Sequence, residues 1–568
     1  MRKTLFSLLA LTALTASAQY QSEVWVPDNG DGTYTNPVIN ADYSDPDVCV
    51  GPSGEDYYMT ASSFQCTPGL PILHSRDLVN WQIVNYAIGN LYEGCDSLLQ
   101  HFATPQHGNG VWAPSIRYHA GQYYIYWGDP DYGVFMVRTT DGDPAGQWTK
   151  PHCVIRGEGY IDTCPLWVDD SDGQTSGGRC YLVNGWANSR AKYASVLTVR
   201  ELSADGLRPI GQPVIVFDGN GTENRTCEGP KFYKRDGWYW IMCPAGGVPT
   251  GFQLAMRSRS PFGPYEHKIV LAQGKTAVNG PHQGGWVHTK YGEDWFLHFQ
   301  DKEAYGRVVH LNPVDWSTGW PMMGKNGAPV TTSKKPQFSN LKTQTNNPAE
   351  SDEFNTPTLG KQWQWHANYD EKFGAPTAFG TMRIYTYKLS ENWKNFWEVP
   401  NLLLQKTPAD TFTVTTKVRL TSKADGQFGG LIMMGLDYSA LVVKRVGSAF
   451  QLIQTTCLQA DKGKPQTEQV IATLKPTAVD KTDYKPGIHE DIYLRLRVRN
   501  AQAGQPHGGN PLVTFSYSLN GKQFTDCGTE FQMKQGKWIG AKFGFIAAET
   551  NQKADRGWLD ADWLRVTK

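Results

Sequence analysis

One pattern of apolar and polar positions recurs through the first half of the chain: a polar or aromatic anchor, a short apolar run, a glycine-containing turn, then an aromatic-rich run. It reads Asp45-Pro46-Asp47-Val48, Gly54 and Tyr57-Tyr58-Met59 in the first copy. In the second it reads Trp112-Ala113-Pro114-Ser115-Ile116, Gly121 and Tyr123-Tyr124-Ile125-Tyr126. The third runs from Asp162 through Pro165-Leu166-Trp167 and Gly177-Gly178 to Cys180-Tyr181-Leu182-Val183. The fourth runs from Glu228-Gly229-Pro230 through Gly237 to Trp238-Tyr239-Trp240-Ile241, and the fifth is Gly284-Gly285-Trp286-Val287, Gly292 and Trp295-Phe296-Leu297. Runs this short, rich in aromatic and β-branched side chains and bounded by turn residues, predict strands paired as hairpins. The unequal lengths of chain between anchors exclude a solenoid and suit β-propeller blades with variable loops. Five copies predict five blades over residues 30–325. A plain two-sheet sandwich would not repeat the whole hairpin unit.

Beyond Trp320-Pro321 the pattern lapses. Residues 326–350 are rich in Lys, Thr, Ser, Asn and Pro and read as a linker. Half-buried alternation then returns at Phe412, Val414, Thr416 and Val418 and again from Tyr493 to Arg499. Phe515-Ser516-Tyr517-Ser518-Leu519 leads into Asn520-Gly521, a hairpin turn signal. Successive strands without helical periodicity predict an antiparallel β-sandwich over residues 351–568. The expected fold is all-β, a five-bladed β-propeller followed by that sandwich. At the start of the chain, Met1-Arg2-Lys3, an apolar run from Leu5 to Ala16 and Ala16-Ser17-Ala18 have the order of a secretory signal over residues 1–18. The run is too short for a membrane span, which needs about 20 residues. Cleavage near Ala18 and export, to the periplasm or outside the cell, are expected.

Composition narrows the partners. Lys+Arg 54 balance Asp+Glu 54, and nucleic acids and anionic membranes both select a basic excess. Trp 20, Tyr 27 and Phe 23 form an aromatic surplus that serves either as core or as platforms for sugar rings. The ten cysteines contain no CxxC pair, so buried thiols are expected rather than a zinc or redox site. Asp169-Asp170-Ser171-Asp172-Gly173 lacks the closing acidic ligand of a calcium loop and reads as a solvated turn.

A propeller gives the anchors a common location. The innermost strand of each blade lines the central channel, so residues near its start converge on one mouth. Asp45, Asp162 and Glu228 are then neighbours in space, and three carboxylates at one mouth raise the proton affinity of at least one of them. Acid and base catalysis of hydrolysis uses that arrangement. One acidic anchor alone would more simply bond a neighbouring blade or hold a structural cation; three at matching repeat positions point to chemistry.

Several motifs in one order closely resemble glycoside hydrolase family 43: Asn36-Pro37-Val38, Asp45-Pro46-Asp47, His74-Ser75-Arg76-Asp77-Leu78, Asn80-Trp81, Trp112-Ala113-Pro114, Asp162, Glu228-Gly229-Pro230 and Gly306-Arg307. Asp352-Glu353-Phe354 and Asp560-Ala561-Asp562-Trp563 resemble the two ends of the concanavalin-like domain attached to family 43 xylosidases and arabinofuranosidases. The resemblance implies a five-bladed propeller and hydrolysis with inversion. It implies Asp45 as general base, Glu228 as general acid, Asp162 as the residue that tunes and holds the acid, and Arg307 as a substrate-contacting arginine. Inversion requires a proton for the departing oxygen and a water activated on the opposite face of the sugar.

Other positions follow from the same resemblance. Trp112 offers an indole wall under a sugar ring or fills the core between blades. Phe64 and Gln65 belong to a substrate-side loop in which Cys66 and Thr67 replace bulky aromatics of many xylosidase-type members, so a reshaped terminal-sugar subsite is expected and arabinofuranose stays open. Where many members place a channel histidine beside a cation, Gln283 stands, with His282 one residue earlier; both are expected to meet substrate. No metal ligand is assigned and no cofactor is required, with a structural calcium ion left as an option. The expected function is exo-acting, inverting removal of terminal β-D-xylose or α-L-arabinofuranose from plant cell-wall polysaccharides or their oligosaccharides. The alternative is a propeller that binds carbohydrate without turnover.

Overall fold

The computed structural model of the protein describes residues 21–168, 178–338, 346–474 and 488–568. The expected signal at 1–18 and the acidic turn at 169–173 lie outside the described residues. Five four-stranded antiparallel sheets follow one another, each built from one contiguous stretch of chain. Blade 1 consists of Asp47–Val50, Tyr57–Thr60, Gly69–Ser75 and Gln82–Ile88. Blades 2 to 5 have Trp112–His119, Tyr160–Val168, Lys231–Arg235 and His282–His288 as their innermost strands, and blade 5 ends at Met322–Met323.

The aromatic runs explain why the blades stack. In Gln122–Asp129 side chains alternate faces: Tyr123, Ile125 and Trp127 pack with Leu70 and Ile72 of blade 1, while Tyr124 and Tyr126 pack with Cys180 and Leu182 of blade 3. A blade is covered on both faces, so both sets of an alternating strand are apolar.

All five inner strands begin with the same left-handed backbone. It falls at Asp45 (φ 56°), Ala113 (36°), Asp162 (57°), Gly229 (60°) and Gln283 (34°). Register shifts accompany it between Trp112 and Ser115, Ile161 and Cys164, and His282 and Gly284, so the chain bulges where it turns into the mouth. This alignment corrects the one read from sequence. Asp45 and Asp162 occupy the left-handed position, whereas Trp112 and Glu228 precede it by one residue, so the three carboxylates do not share one repeat position. Below the mouth the channel is filled: Asp47 accepts from Ile116 N (2.8 Å) and Arg117 (2.6 Å), and Lys231 donates to Pro114 O (2.9 Å) and Ser115 Oγ (2.8 Å). Buried charges of this kind persist when paired, as Asp47 and Arg117 are, or hydrogen-bonded, as Lys231 is.

Among the described residues no strand of blade 5 comes from the N-terminal side of the chain, so blades 5 and 1 meet without sharing a sheet. Around that joint, Thr33–Thr35 pairs with Thr332–Lys334, and Ile39 bridges to Val309. The segment read as a linker thus includes a strand.

The second domain is a sandwich of an eight-stranded and a seven-stranded sheet. In Phe412–Ser422 the residues Phe412, Val414, Val418 and Leu420 face the core and Lys417 and Arg419 do not, which is the half-buried alternation of the sequence. Leu512–Ser518 pairs with Thr525–Gln532, so Asn520-Gly521 lies in a loop longer than a two-residue turn. Among the described residues the α-helices are Asp96–His101 and Asn188–Ala191, and no helix is long and apolar enough to cross a membrane.

The two domains share a core. Ala304 and Tyr305 of the propeller pack in the sandwich interior with Phe543 and Phe412. Thr67 and Trp365 exchange backbone hydrogen bonds (3.1 and 2.6 Å), Thr67 Oγ1 donates to Ala367 O (2.6 Å), and Lys542 Nζ lies 3.1 Å from Cys66 Sγ. Cys66 and Thr67 are therefore docking residues, and small side chains there admit the sandwich's edge strand.

Candidate active site

The site grows from the five strand starts. Asp45 is held by Ser62 Oγ, which donates to Oδ2 at 2.6 Å, and by Arg307 Nη1, 3.1 Å from Oδ1. Ser62 Oγ also accepts from Ala113 N (2.7 Å), tying the carboxylate to the bulge of blade 2. Arg307 Nη1 donates further to Ser44 Oγ (2.8 Å), and its guanidinium covers the Phe299 ring at 4.8 Å. Burial opposes the charge of Arg307, but Asp45, Asp301, Asp42 and Glu228 outweigh it and raise the group's pKa. The backbone of Arg307 is fixed in turn: its N–H donates to Asp42 Oδ1 (2.9 Å), and Asp42 Oδ2 accepts from Gly540 N of the sandwich (3.0 Å). A Cβ at Gly306 would meet Asp42 Cγ at 2.5 Å, so the Gly-Arg pair requires its glycine.

Asp162 accepts from Gly229 N at 2.8 Å, directly after Glu228. Burial, then the charges of Glu228 and Asp45, push its pKa far above the ordinary carboxylate range. The raised affinity expected of at least one carboxyl falls on this one. Glu228 is the most open of the three, its side chain 32 % exposed against 7 % for Asp45, and the buried His282 places Nε2 3.4 Å from Glu228 Oε1. Gln283 packs its amide on Gly229, where a Cβ would come within 2.5 Å of Gln283 Cδ. Motif order brings Asp45, Asp162, Glu228, Arg307, His282 and Gln283 together as expected.

Aromatic rings wall one side. Trp112 is half-buried, its Nε1 donating to Gly108 O (2.8 Å), and its ring meets Phe64 edge-on at 6.2 Å. Gln65 accepts from Gly108 N (3.1 Å). Edge-on against Trp112, at 6.1 Å between ring centres, stands Trp538, an exposed sandwich residue that the sequence did not single out. A cavity of about 310 Å³ opens beside it, lined by Asp301, Gly306, Arg307, Lys537, Trp538 and Ile539. The seam between the domains thus forms part of the site's rim.

Calcium takes six to eight oxygens, whereas the channel below the carboxylates carries Lys231 and Arg117, and no group of three His, Cys, Asp or Glu is placed to hold a metal among the described residues.

The sequence model of Glycosyl hydrolases family 43 matches residues 34–321, and that of the Beta xylosidase C-terminal Concanavalin A-like domain matches 351–567. The chain belongs to glycosyl hydrolase family 43. Among relatives, a protein of Xylanibacter ruminicola is 34 % identical over 527 residues, covering 91 % of this chain and 87 % of its own. A beta-xylosidase of Formosa agariphila is 29 % identical over 99 % of this chain and 96 % of its own. A non-reducing end alpha-L-arabinofuranosidase of Bacteroides ovatus is 28 % identical over 79 % and 84 %. The family 43 fold is shared with a solved Bacillus licheniformis member, TM-score 0.75 at 24 % identity, covering 94 % of this chain and 99 % of that one. As a family 43 protein the chain is a glycoside hydrolase, of a family that acts on chain ends with inversion.

Proposed function

We propose that the enzyme removes single terminal pentoses, β-D-xylose or α-L-arabinofuranose, from plant cell-wall polysaccharides or their oligosaccharides. The observation that carries this reading is a carboxylate-lined propeller mouth whose aromatic side joins Trp112 of blade 2 to Trp538 of the sandwich, so that the second domain narrows the mouth as suits a chain end. One relative named a beta-xylosidase and another named a non-reducing end alpha-L-arabinofuranosidase support the sugar class. Asp45, gripped by Ser62 and Arg307, is the base that takes a proton from the attacking water. Glu228, the open carboxyl, delivers a proton to the departing oxygen, with Asp162 and His282 beside it. Gln65 Nε2 and Gln283 Nε2 are buried donors without a protein partner, suited to sugar hydroxyls. Export through residues 1–18 belongs to the same reading, since the polymer lies outside the cell.

Release of nitrophenol from the β-xyloside and the α-L-arabinofuranoside, with the anomer of the first product followed by NMR, tests it. Asp45→Ala and Glu228→Ala are expected to cost about 10²-fold or more in kcat on xylobiose while circular dichroism stays unchanged. A folded Asp45→Ala enzyme with full activity, or a retained anomeric configuration, overturns the assignment.

A further inference from the structure

We propose that Cys227 and Cys243 form a disulfide when the chain folds in an oxidising compartment, and that this bond braces Glu228. Their Sγ atoms stand 3.4 Å apart as free thiols, both buried, at 1 % and 0 % exposure. Other buried thiols are engaged differently: Cys164 accepts from Arg117 and Phe232 N, and Cys66 meets Lys542. Cys227 and Cys243 face each other inside one apolar cluster of blades 3 and 4.

Their place in the chain gives the pair its meaning. Cys227 immediately precedes Glu228, and Cys243 immediately precedes Pro244, whose carbonyl accepts Glu228 N at 3.3 Å. The thiols thus flank the backbone bond that ties the acid to the neighbouring strand, Trp238–Ala245. That tie matters because Glu228 lies outside any strand, between left-handed residues at Thr226 (φ 56°) and Gly229 (φ 60°), where no ladder fixes the backbone. A covalent link at this point limits how far the carboxyl can drift from a leaving oxygen, and catalytic rates are sensitive to displacements of about 1 Å.

The chemistry sets when the bond forms. Burial, reinforced by the neighbouring Cys243 thiol, holds the Cys227 thiol well above its ordinary pKa, so the folded protein offers almost no thiolate for exchange. Oxidation therefore precedes closure of blade 4. The reacting thiols each lose a proton, their sulfurs join, and the two electrons pass to the oxidant, a disulfide of a thiol oxidoreductase or of a small thiol, which leaves as two thiols. Exported compartments supply such oxidants and cytosol does not.

The covalent part is independent of any catalytic role; the bracing part rests on Glu228 being the acid. The full chain is produced twice, by export into an oxidising periplasm and in a reducing cytoplasm, then denatured and alkylated without reductant. Of its ten cysteines, eight should be alkylated in the exported protein and all ten in the other, with a 227–243 linked peptide that separates on reduction. Ten alkylated thiols in the exported protein, or a different pair, overturn the bond. For the brace, the cytoplasmic form and the Cys227→Ala/Cys243→Ala variant should lose several-fold in kcat on xylobiose at unchanged KM. Both should stay within about twofold on the nitrophenyl xyloside, whose leaving group needs little protonation. Equal losses on both substrates overturn the brace, and comparing the two preparations of one sequence yields the result even where the double variant fails to fold. Glu228→Ala measured alongside separates the two ideas: if it keeps xylobiose activity, the acid assignment fails while the disulfide stands.

Discussion

Asp162 carries the clearest electrostatic signature of the site. Burial and the charges of Glu228 and Asp45 favour its protonated form, against the Gly229 N–H and Lys231, which favour the ionised one. Because its proton affinity in the folded state exceeds that of an unfolded aspartate, the native enzyme binds more protons from about pH 4 upward, and its stability falls as pH rises towards the raised value. Asp162→Asn removes this proton. Its unfolding free energy, followed by urea titration between about pH 4 and 7, should fall less steeply than the parent's, by up to about 1.4 kcal/mol per pH unit. Coincident slopes would mean that Asp162 is ionised. The three carboxylates were legible because each sits in a motif with recognisable neighbours. Their one-residue offset was not, since a left-handed backbone at Asp45, Ala113 or Gln283 leaves no mark in composition; only Gly229 advertises it. Ser62 and Asp42, which hold the base and the arginine, are one serine and one aspartate among many.

At the scale of elements, the blades were readable because stacking makes both faces of a strand apolar, and Tyr, Trp and Val then crowd into short runs between glycines. The sandwich was readable from its one-sided alternation. The loop bearing Trp538 was not, because a wall supplied by another domain has no local pattern; it takes shape only when Gly540 N meets Asp42 and the loop settles against Gly108. Trp538 is 48 % exposed, so Trp538→Ala should leave the melting temperature nearly unchanged while kcat/KM on xylobiose drops about tenfold, or ~1.4 kcal/mol. Trp81→Ala, in the blade core, provides the contrast: a large loss of stability. A Trp538 variant that melts like the Trp81 one would make Trp538 a packing residue instead of a wall.

Over the whole molecule the propeller and sandwich are interlocked rather than tethered: Tyr305 sits in the sandwich core, and Thr67 pairs with its edge strand. Scanning calorimetry should therefore record one cooperative transition for the full chain, and two resolved peaks would show domains that unfold independently. The propeller itself is an open band, each blade cut from one stretch of chain, with ends that meet only where blade 5 abuts blade 1. Arg307 comes from one end and Asp45 from the other, so their contact joins the Thr33–Thr35/Thr332–Lys334 pairing and the Ile39–Val309 bridge in closing the band. Slackening that joint would draw Arg307 away from Asp45 before any blade loses a strand. On the proposed role of Asp45, turnover should fall in a propeller whose joint gapes while every hairpin stays intact.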